Sequence, residues 1–221
     1  MGSEGSPLPP SPRPSPLKGE GGIRLVLEQE GGIARLVLDA PPRNEMGQDF
    51  FRTLAALVGT LKDLSVRGLV VHGAGRHFSS GADIDALKAG LAGAQPALAA
   101  HALFTATSSL QAITELPYPT VAAVGGCCLG SGLELALACR WRVAAANAVF
   151  ALPETSFDLM PGCGGTVRLP PLVGRGRAVD LVLSGRFVAA VEAREIGLVD
   201  AVVDRRDLLA AARRLLERVA A

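Results

Sequence analysis

The stretch Pro119-Thr120-Val121-Ala122-Ala123-Val124-Gly125-Gly126-Cys127-Cys128-Leu129-Gly130-Ser131-Gly132-Leu133-Glu134-Leu135 decides the fold. Thr120–Val124 is short and apolar, with Pro117 and Pro119 ahead of it, and reads as a buried parallel strand. The glycine-bearing segment behind it ends where an apolar run over residues 135–139 begins, so it reads as a strand-to-helix loop. The same layout stands earlier in the chain. Residues 67–72 form an apolar strand pattern, followed by Gly73-Ala74-Gly75-Arg76-His77-Phe78-Ser79-Ser80-Gly81-Ala82-Asp83-Ile84. In a parallel sheet, ligands bind beyond the carboxyl ends of the strands. Glycines let a backbone come close, and helix starts leave N–H groups unpaired. Two such loops side by side can each aim an N–H at a single oxygen, which makes an oxyanion hole. Taken singly, each loop is an ordinary turn. Neither fits the phosphate loop that ends in Gly-Lys-Ser/Thr, nor a clean dinucleotide fingerprint.

Working outward, Ile23–Leu27 and Ile33–Leu38 are β-rich runs around Gly31-Gly32, a hairpin signal. Residues 48–64 carry Phe50, Leu54, Leu57, Val58 and Leu61 at helical spacing. Residues 98–116 read as a helix between the two apolar strands, and 148–152 as a short strand. Beyond Arg175 the pattern is mainly helical, over 176–183, 191–196 and Leu208–Val219, with a strand-like interruption at 198–203. Alternation of strand and helix predicts an α/β fold built from parallel βαβ units. Residues 1–22 are rich in Pro, Ser and Gly and have no apolar pattern, so they are expected to be disordered. The expected organisation is a tail over 1–22, a core domain over 23–204 and a C-terminal helix over 205–221.

Apolar residues make up 49% of the 221-residue chain, ample for one sizeable core. A net charge of +1 shows no global bias toward nucleic acid or membrane. No apolar run approaches the roughly 20 residues of a membrane span, and the N-terminus lacks the apolar region of a signal peptide. The four cysteines, Cys127, Cys128, Cys139 and Cys163, lie in small-residue or apolar contexts and read as buried free thiols of a cytoplasmic protein. His72, His77 and His101 are scattered, and no metal site is expected.

Two glutamates stand in turns flanked by these motifs: Glu134 in Gly130-Ser131-Gly132-Leu133-Glu134, and Glu154 in Leu152-Pro153-Glu154, ahead of Met160-Pro161-Gly162-Cys163-Gly164-Gly165-Thr166. Carboxylates delivered by separate turns can converge on one water and move its protons. Each also has a plain structural reading. Ser131-x-x-Glu134 matches a capping box, with Ser131 as N-cap and Glu134 reaching back from N3. Glu154 by itself reads as a surface carboxylate in a turn. Asp83 and Asp85 read as structural or solvated acids, Asp83 in the first turn of a helix.

Together these motifs resemble the crotonase (enoyl-CoA hydratase/isomerase) superfamily, with His77 to Ile84 similar to its first oxyanion loop and Pro119 to Ala136 similar to its second. Phe150-Ala151-Leu152-Pro153-Glu154, Met160 to Thr166, Leu169, Ser184-Gly185, Ala193 and Gly197-Leu198-Val199 continue the pattern, so the resemblance spans about residues 23–220. It implies a spiral of ββα units with parallel sheets, followed by a reduced C-terminal helical region. It implies an acyl-CoA thioester whose carbonyl sits between the backbone N–H groups of Ala82 and Ser131. Glu134 and Glu154 match the catalytic glutamates of the hydratases, which add water reversibly to a 2-enoyl-CoA. Ser80, Gly81, Asp83 and Ile84 on the first loop, Gly130 on the second, and Pro161 and Gly162 further on are implied to line the substrate. No cofactor is implied, coenzyme A being part of the substrate, and a homotrimer or dimer of trimers is expected. Isomerisation or acyl-CoA hydrolysis on the same scaffold, or a non-catalytic CoA-binding subunit, are the alternatives.

The chain departs from the family pattern in three places. Ser131 stands where the family commonly has glycine, and Arg140 where Asp commonly follows the Ala-x-x-Cys run. Only residues 200–221 follow Gly197-Leu198-Val199, where relatives add further helices over the acyl and CoA pocket. Residues 86–106, rich in Ala, Leu and Gly, would form part of the acyl wall.

Overall fold

A computed structural model describes residues 17–18, 22–27, 32–83 and 96–220. Its larger sheet contains β1 (Leu17–Lys18), β2 (Ile23–Leu27), β3 (Ile33–Leu38), β4 (Gly68–Gly73), β5 (Thr120–Val124), β7 (Trp141–Ala145) and β10 (Ala201–Val203) in the order β1-β2-β3-β4-β5-β7-β10. From β3 to β10 the neighbours are parallel, while β1 and β2 pair antiparallel at one edge. A smaller sheet joins β6 (Cys127–Leu129), β8 (Val149–Ala151) and β9 (Val188–Ala189) in the order β6-β8-β9. The helices are α1 (Gln48–Asp63), α2 (Pro96–Thr114), α3 (Ser131–Ala138), α4 (Gly165–Arg168), α5 (Pro170–Val173), α6 (Arg175–Ser184), α7 (Ala190–Glu195) and α8 (Leu208–Val219). The expected α/β class with a parallel sheet is what the chain adopts.

Period-two alternation along the central strands sorts their side chains onto two faces. Leu36, Leu38, Leu69, Val71, Ala122 and Val124 enter the main core, together with Phe50 and Leu54 of α1 and Leu133 and Leu135 of α3. Ile33, Val70, Val121, Ala123 and Val143 face the other way, onto Leu208, Ala212 and Leu216 of α8. The spacing of Phe50, Leu54, Leu57 and Leu61 places an apolar stripe of α1 against the core, as the periodicity predicts. Every residue of α3 is buried, so this helix is enclosed on all sides instead of lying on the surface.

Four strands depart from the sequence reading: the two-residue β1, which lies inside the tail expected to be disordered and pairs with β2, the two-residue β9, and β7 and β6. Trp141–Ala145 pairs in parallel with both β5 and β10 but carries no alternating signal. Its composition is alanine-rich and it holds a buried arginine, and alanine is a poor strand former. The Arg142 Nε donates to Leu198 O at 2.8 Å and Nη1 to Cys139 O at 2.7 Å, so the buried charge is solvated by carbonyls, one of them at the carboxyl end of α3. Cys127–Leu129, inside what reads as a glycine loop, is a strand of the smaller sheet. The 198–203 strand is confined to Ala201–Val203. Most of the 1–22 tail, and residues 84–95 with them, lie outside the described residues.

Candidate active site at the junction of two loops

Asn44 organises the first loop from a distance in sequence. Its side chain is buried, and Nδ2 donates to Ala74 O at 3.0 Å, His77 O at 2.9 Å and Phe78 O at 3.2 Å. Ser79 Oγ donates to Asn44 O at 2.7 Å and accepts from Gly81 N at 3.1 Å. Ser80 N donates to Arg43 O and Met46 N to Gly81 O, both at 2.9 Å. Residues 43–46 therefore act as a template against which the turn before Ala82 is laid. The Asn44 and Ser79 side chains both find partners there, which holds the loop in one shape.

The second loop is fixed to the first by backbone pairing. Ser79 N donates to Cys127 O at 3.1 Å and Leu129 N to Ser79 O at 3.0 Å. Gly81 and Gly130 both have positive φ, where a side chain is strained. A Cβ on Gly130 would lie 3.9 Å from Gly81 Cα and 3.2 Å from Glu154 Oε1, so the two loops and one carboxylate meet at Gly130. Ser131 is the first residue of α3, where an amide N–H has no intrahelical acceptor. Among the described residues no oxygen accepts from the amide of Ala82 or of Ser131.

Glu134 is not the return arm of a capping box. Gly130, not Ser131, is the N-cap of α3, and no side chain caps it. Gly130 has φ 52°, outside the extended backbone of an ordinary N-cap, which takes Ser131 out of capping position. The Glu134 Oε1 accepts instead from Cys163 N at 2.7 Å and Gly165 N at 2.8 Å, at the start of α4. Burial pushes the Glu134 carboxyl above its ordinary range, and the Gly165 and Cys163 N–H groups hold it partly back. Arg168 adds a positive charge nearby and donates from Nη1 to Cys163 O at 2.8 Å.

Glu154 stands in the 3-10 turn Pro153–Phe157, and it is not a surface carboxylate. Its Oε2 is buried and has no hydrogen-bond partner. Burial, followed by the charge of Glu134, pushes this carboxyl up to about 7. A buried carboxylate oxygen without a donor costs free energy unless it is protonated or meets a water or ligand. The two glutamates thus lie within range of each other's charge and differ in their partners: Glu134 Oε1 is held by two backbone amides, while Glu154 Oε2 has no donor among the described residues.

The remaining expected residues cluster around this pair to different degrees. Pro161 is buried, and its Cβ and Glu134 Oε1 are both neighbours of Gly165. Gly162 O accepts from Thr107 Oγ1 of α2 at 3.1 Å. Ser80 Oγ is buried without a hydrogen-bond partner, and Gly81 and Gly130 form the meeting point above. Asp83 follows Ala82 and is half-buried, but the helix expected after it, with Ile84, Asp85 and much of the acyl wall, lies outside the described residues. Ser131 Oγ donates to Met46 Sδ at 3.8 Å. The sequence reading passed over Asn44, Met46 and Cys163. Only the positive φ of Asn44, a residue type that tolerates that region, has a weak sequence signature, in Pro41-Pro42-Arg43-Asn44. Arg140, the charge reversal noted above, stacks over the Trp141 ring, 4.8 Å from its centroid.

Comparison with known proteins places the fold in a family. The family model described as enoyl-CoA hydratase/isomerase matches residues 28–221. The chain belongs to the enoyl-CoA hydratase/isomerase family, within the crotonase superfamily. It is 40% identical over 196 residues to the fatty acid oxidation complex subunit alpha of Vibrio cholerae, covering 85% of this chain and 27% of that protein. The chain therefore spans about a quarter of the length of that relative. It is 38% identical over 195 residues to the Bacillus subtilis protein YngF, whose name carries the same family, covering 86% of this chain and 72% of that protein. Among solved structures, Pseudomonas aeruginosa DspI superposes with a TM-score of 0.83 at 34% identity, covering 92% of this chain and 76% of that one. Enoyl-CoA hydratase from Bacillus anthracis superposes with a TM-score of 0.82 at 33% identity, covering 90% and 76%.

Proposed function

We propose that this chain catalyses the reversible hydration of a 2-enoyl-CoA to a 3-hydroxyacyl-CoA. The observation that carries the reading is the Glu154 carboxyl, with Oε1 beside the Gly130 turn, a buried Oε2 without a donor, and the charge of Glu134 within range. The thioester oxygen would lie against the unpaired N–H groups of Ala82 and Ser131, which favour the enolate-like charge that develops on it. Glu134 suits the base. Its two amide donors favour the carboxylate form, and it would take a proton from water as the water oxygen bonds to Cβ. Glu154, pushed up to about 7, carries a proton over much of the neutral range and would deliver it to Cα. The sum is the elements of water across the double bond, with the two carboxyl groups exchanging a proton to reset. The reaction is redox-neutral and calls for no cofactor beyond the coenzyme A of the substrate.

Self-association and a cytoplasmic location belong to the same reading. Phe104, Val167, Phe187 and Val191 are exposed apolar side chains, which supports self-association, and a homotrimer or dimer of trimers is the assembly the family resemblance implies. The four cysteines are free, which suits a reducing compartment. No helix among the described residues is long and apolar enough to cross a membrane.

The test is a panel of CoA thioesters with product identification. A short 2-enoyl-CoA should give the 3-hydroxyacyl product. An isomerised 3-enoyl-CoA, or free CoA, with no hydroxyacyl product would replace hydration by isomerisation or hydrolysis. Sedimentation equilibrium reads the assembly, and a monomer at micromolar concentration would overturn the oligomer.

A further inference from the structure

The sheet has a second concave surface, on the face turned away from the glutamates. A cavity of about 340 Å³ opens there beside the N-terminal end of α8. Arg35 and Val37 of β3, His72 of β4 and Ala123 of β5 line its floor, in alternation with Leu36, Leu38, Val71 and Val124 of the main core. Arg76 and His77 close one side and Arg205 the other. No carboxylate among the described residues lines it, whereas three guanidinium groups and two imidazoles do.

Arg205 is built into this wall. Its Nη2 donates to Gly75 O, which ties the segment before α8 to the turn after β4. The Arg205 guanidinium lies directly over Gly125. His77 is anchored as well, its Nδ1 accepting from Cys127 N at 3.0 Å. Burial, then the charges of Arg76 and Arg205, hold the His77 imidazole below its ordinary value. The like charges therefore act on a common space.

We propose that this cavity is a second ligand site, separate from the glutamate pair, and that it takes a small molecule carrying a phosphate monoester. Guanidinium groups match the oxygens of a phosphate in pairs, and a dianion relieves the repulsion between Arg76 and Arg205. The volume accommodates a phosphate with a small organic body and falls at the low end of ligand pockets.

The test is a titration of the isotope-labelled full chain with inorganic phosphate and with adenosine monophosphate, followed through the His77 and His72 imidazole resonances. Saturable shifts are expected, with a rise in the pH at which His77 titrates. Arg76→Gln and Arg205→Gln should each weaken binding at least tenfold, and Glu154→Gln should leave it unchanged. Should Arg205→Gln unfold the chain, the exposed Arg76 carries the same test. Absence of saturable shifts, or shifts indifferent to Arg76→Gln, overturns the site. A saturating 2-enoyl-CoA should leave the phosphate titration unaltered. Displacement of phosphate by it would assign the cavity to the substrate's own phosphates and sink a separate site. Vesicles of phosphatidate in phosphatidylcholine should not co-sediment the chain. Co-sedimentation lost in Arg76→Gln would make this face a lipid-binding surface and overturn the small-molecule assignment. Because the readout is binding, its failure is independent of whether the chain hydrates enoyl-CoA.

Discussion

Helix α3 and the 3-10 turn Pro153–Phe157 each deliver a glutamate to the same place, by opposite means. The helix is wholly buried, and its Glu134 is stabilised by two amide N–H groups from the segment leading into α4. The turn is only half-buried, yet its Glu154 keeps a buried oxygen with no donor. One carboxylate is integrated into the structure and the other keeps one buried oxygen without a donor. Both carboxyl groups are raised by burial, but only Glu134 has amide donors that hold it back, and the proposed division of proton transfer between them rests on that difference.

The sharpest way to break this comparison is turnover. Glu134→Gln and Glu154→Gln should each lower hydration of a 2-enoyl-CoA by about 10²–10⁴-fold with the fold intact. Normal rates in both would end the assignment. Stability should then separate the two regions. Glu134→Ala strands the N–H groups of Cys163 and Gly165 and should cost about 2–4 kcal/mol in denaturant unfolding. Glu154→Ala removes no such partner and should cost less; equal losses would show that the turn is as integrated as the helix.

The pH dependence sharpens the contrast further. Glu154 titrates at about 7 when folded and near the usual glutamate value when unfolded, so the folded state binds the extra proton between them. Its contribution is complete below about pH 4.5 and is lost as pH rises through about 7, amounting to about 2 kcal/mol after discounting for its partial exposure. Melting curves of Glu154→Gln against the parent chain should converge at low pH and diverge in the variant's favour above pH 7. A parallel pair of curves would remove the raised carboxyl from the account. The smallest effect is expected at Ser131→Gly, which deletes the contact with Met46 Sδ but keeps the backbone N–H. Turnover should change by less than about tenfold and stability by about 1 kcal/mol. A larger loss of turnover would make the hydroxyl itself part of the oxyanion site.

Much of this arrangement is legible in the chain. Local patterns are enough where the reason for an element is local. The β2–β3 hairpin, α1, β5 and α8 follow from alternation or helical spacing, and the motif order around Ala82, Ser131, Glu134 and Glu154 carries the family. The sequence is silent where the reason is a partner far along the chain. Strand β7 forms because β5 and β10 flank it, against a composition that does not ask for a strand. The Ser131-x-x-Glu134 pattern has the letters of a capping box, but Cys163 and Gly165 compete for the carboxylate and win. Asn44, one residue in a proline-rich turn, is the centre of the first loop only once residues 74–78 are laid over it.

The sequence by itself determined the class of fold, the family, and the residues worth watching, because periodicity and ordered motifs are properties of neighbours along the chain. Tertiary structure alone decided the state of those residues. Burial, the placement of the Cys163 and Gly165 amides, and the Glu154 Oε2 without a donor depend on segments brought together from across the chain, and the proposed difference between the two glutamates rests on them.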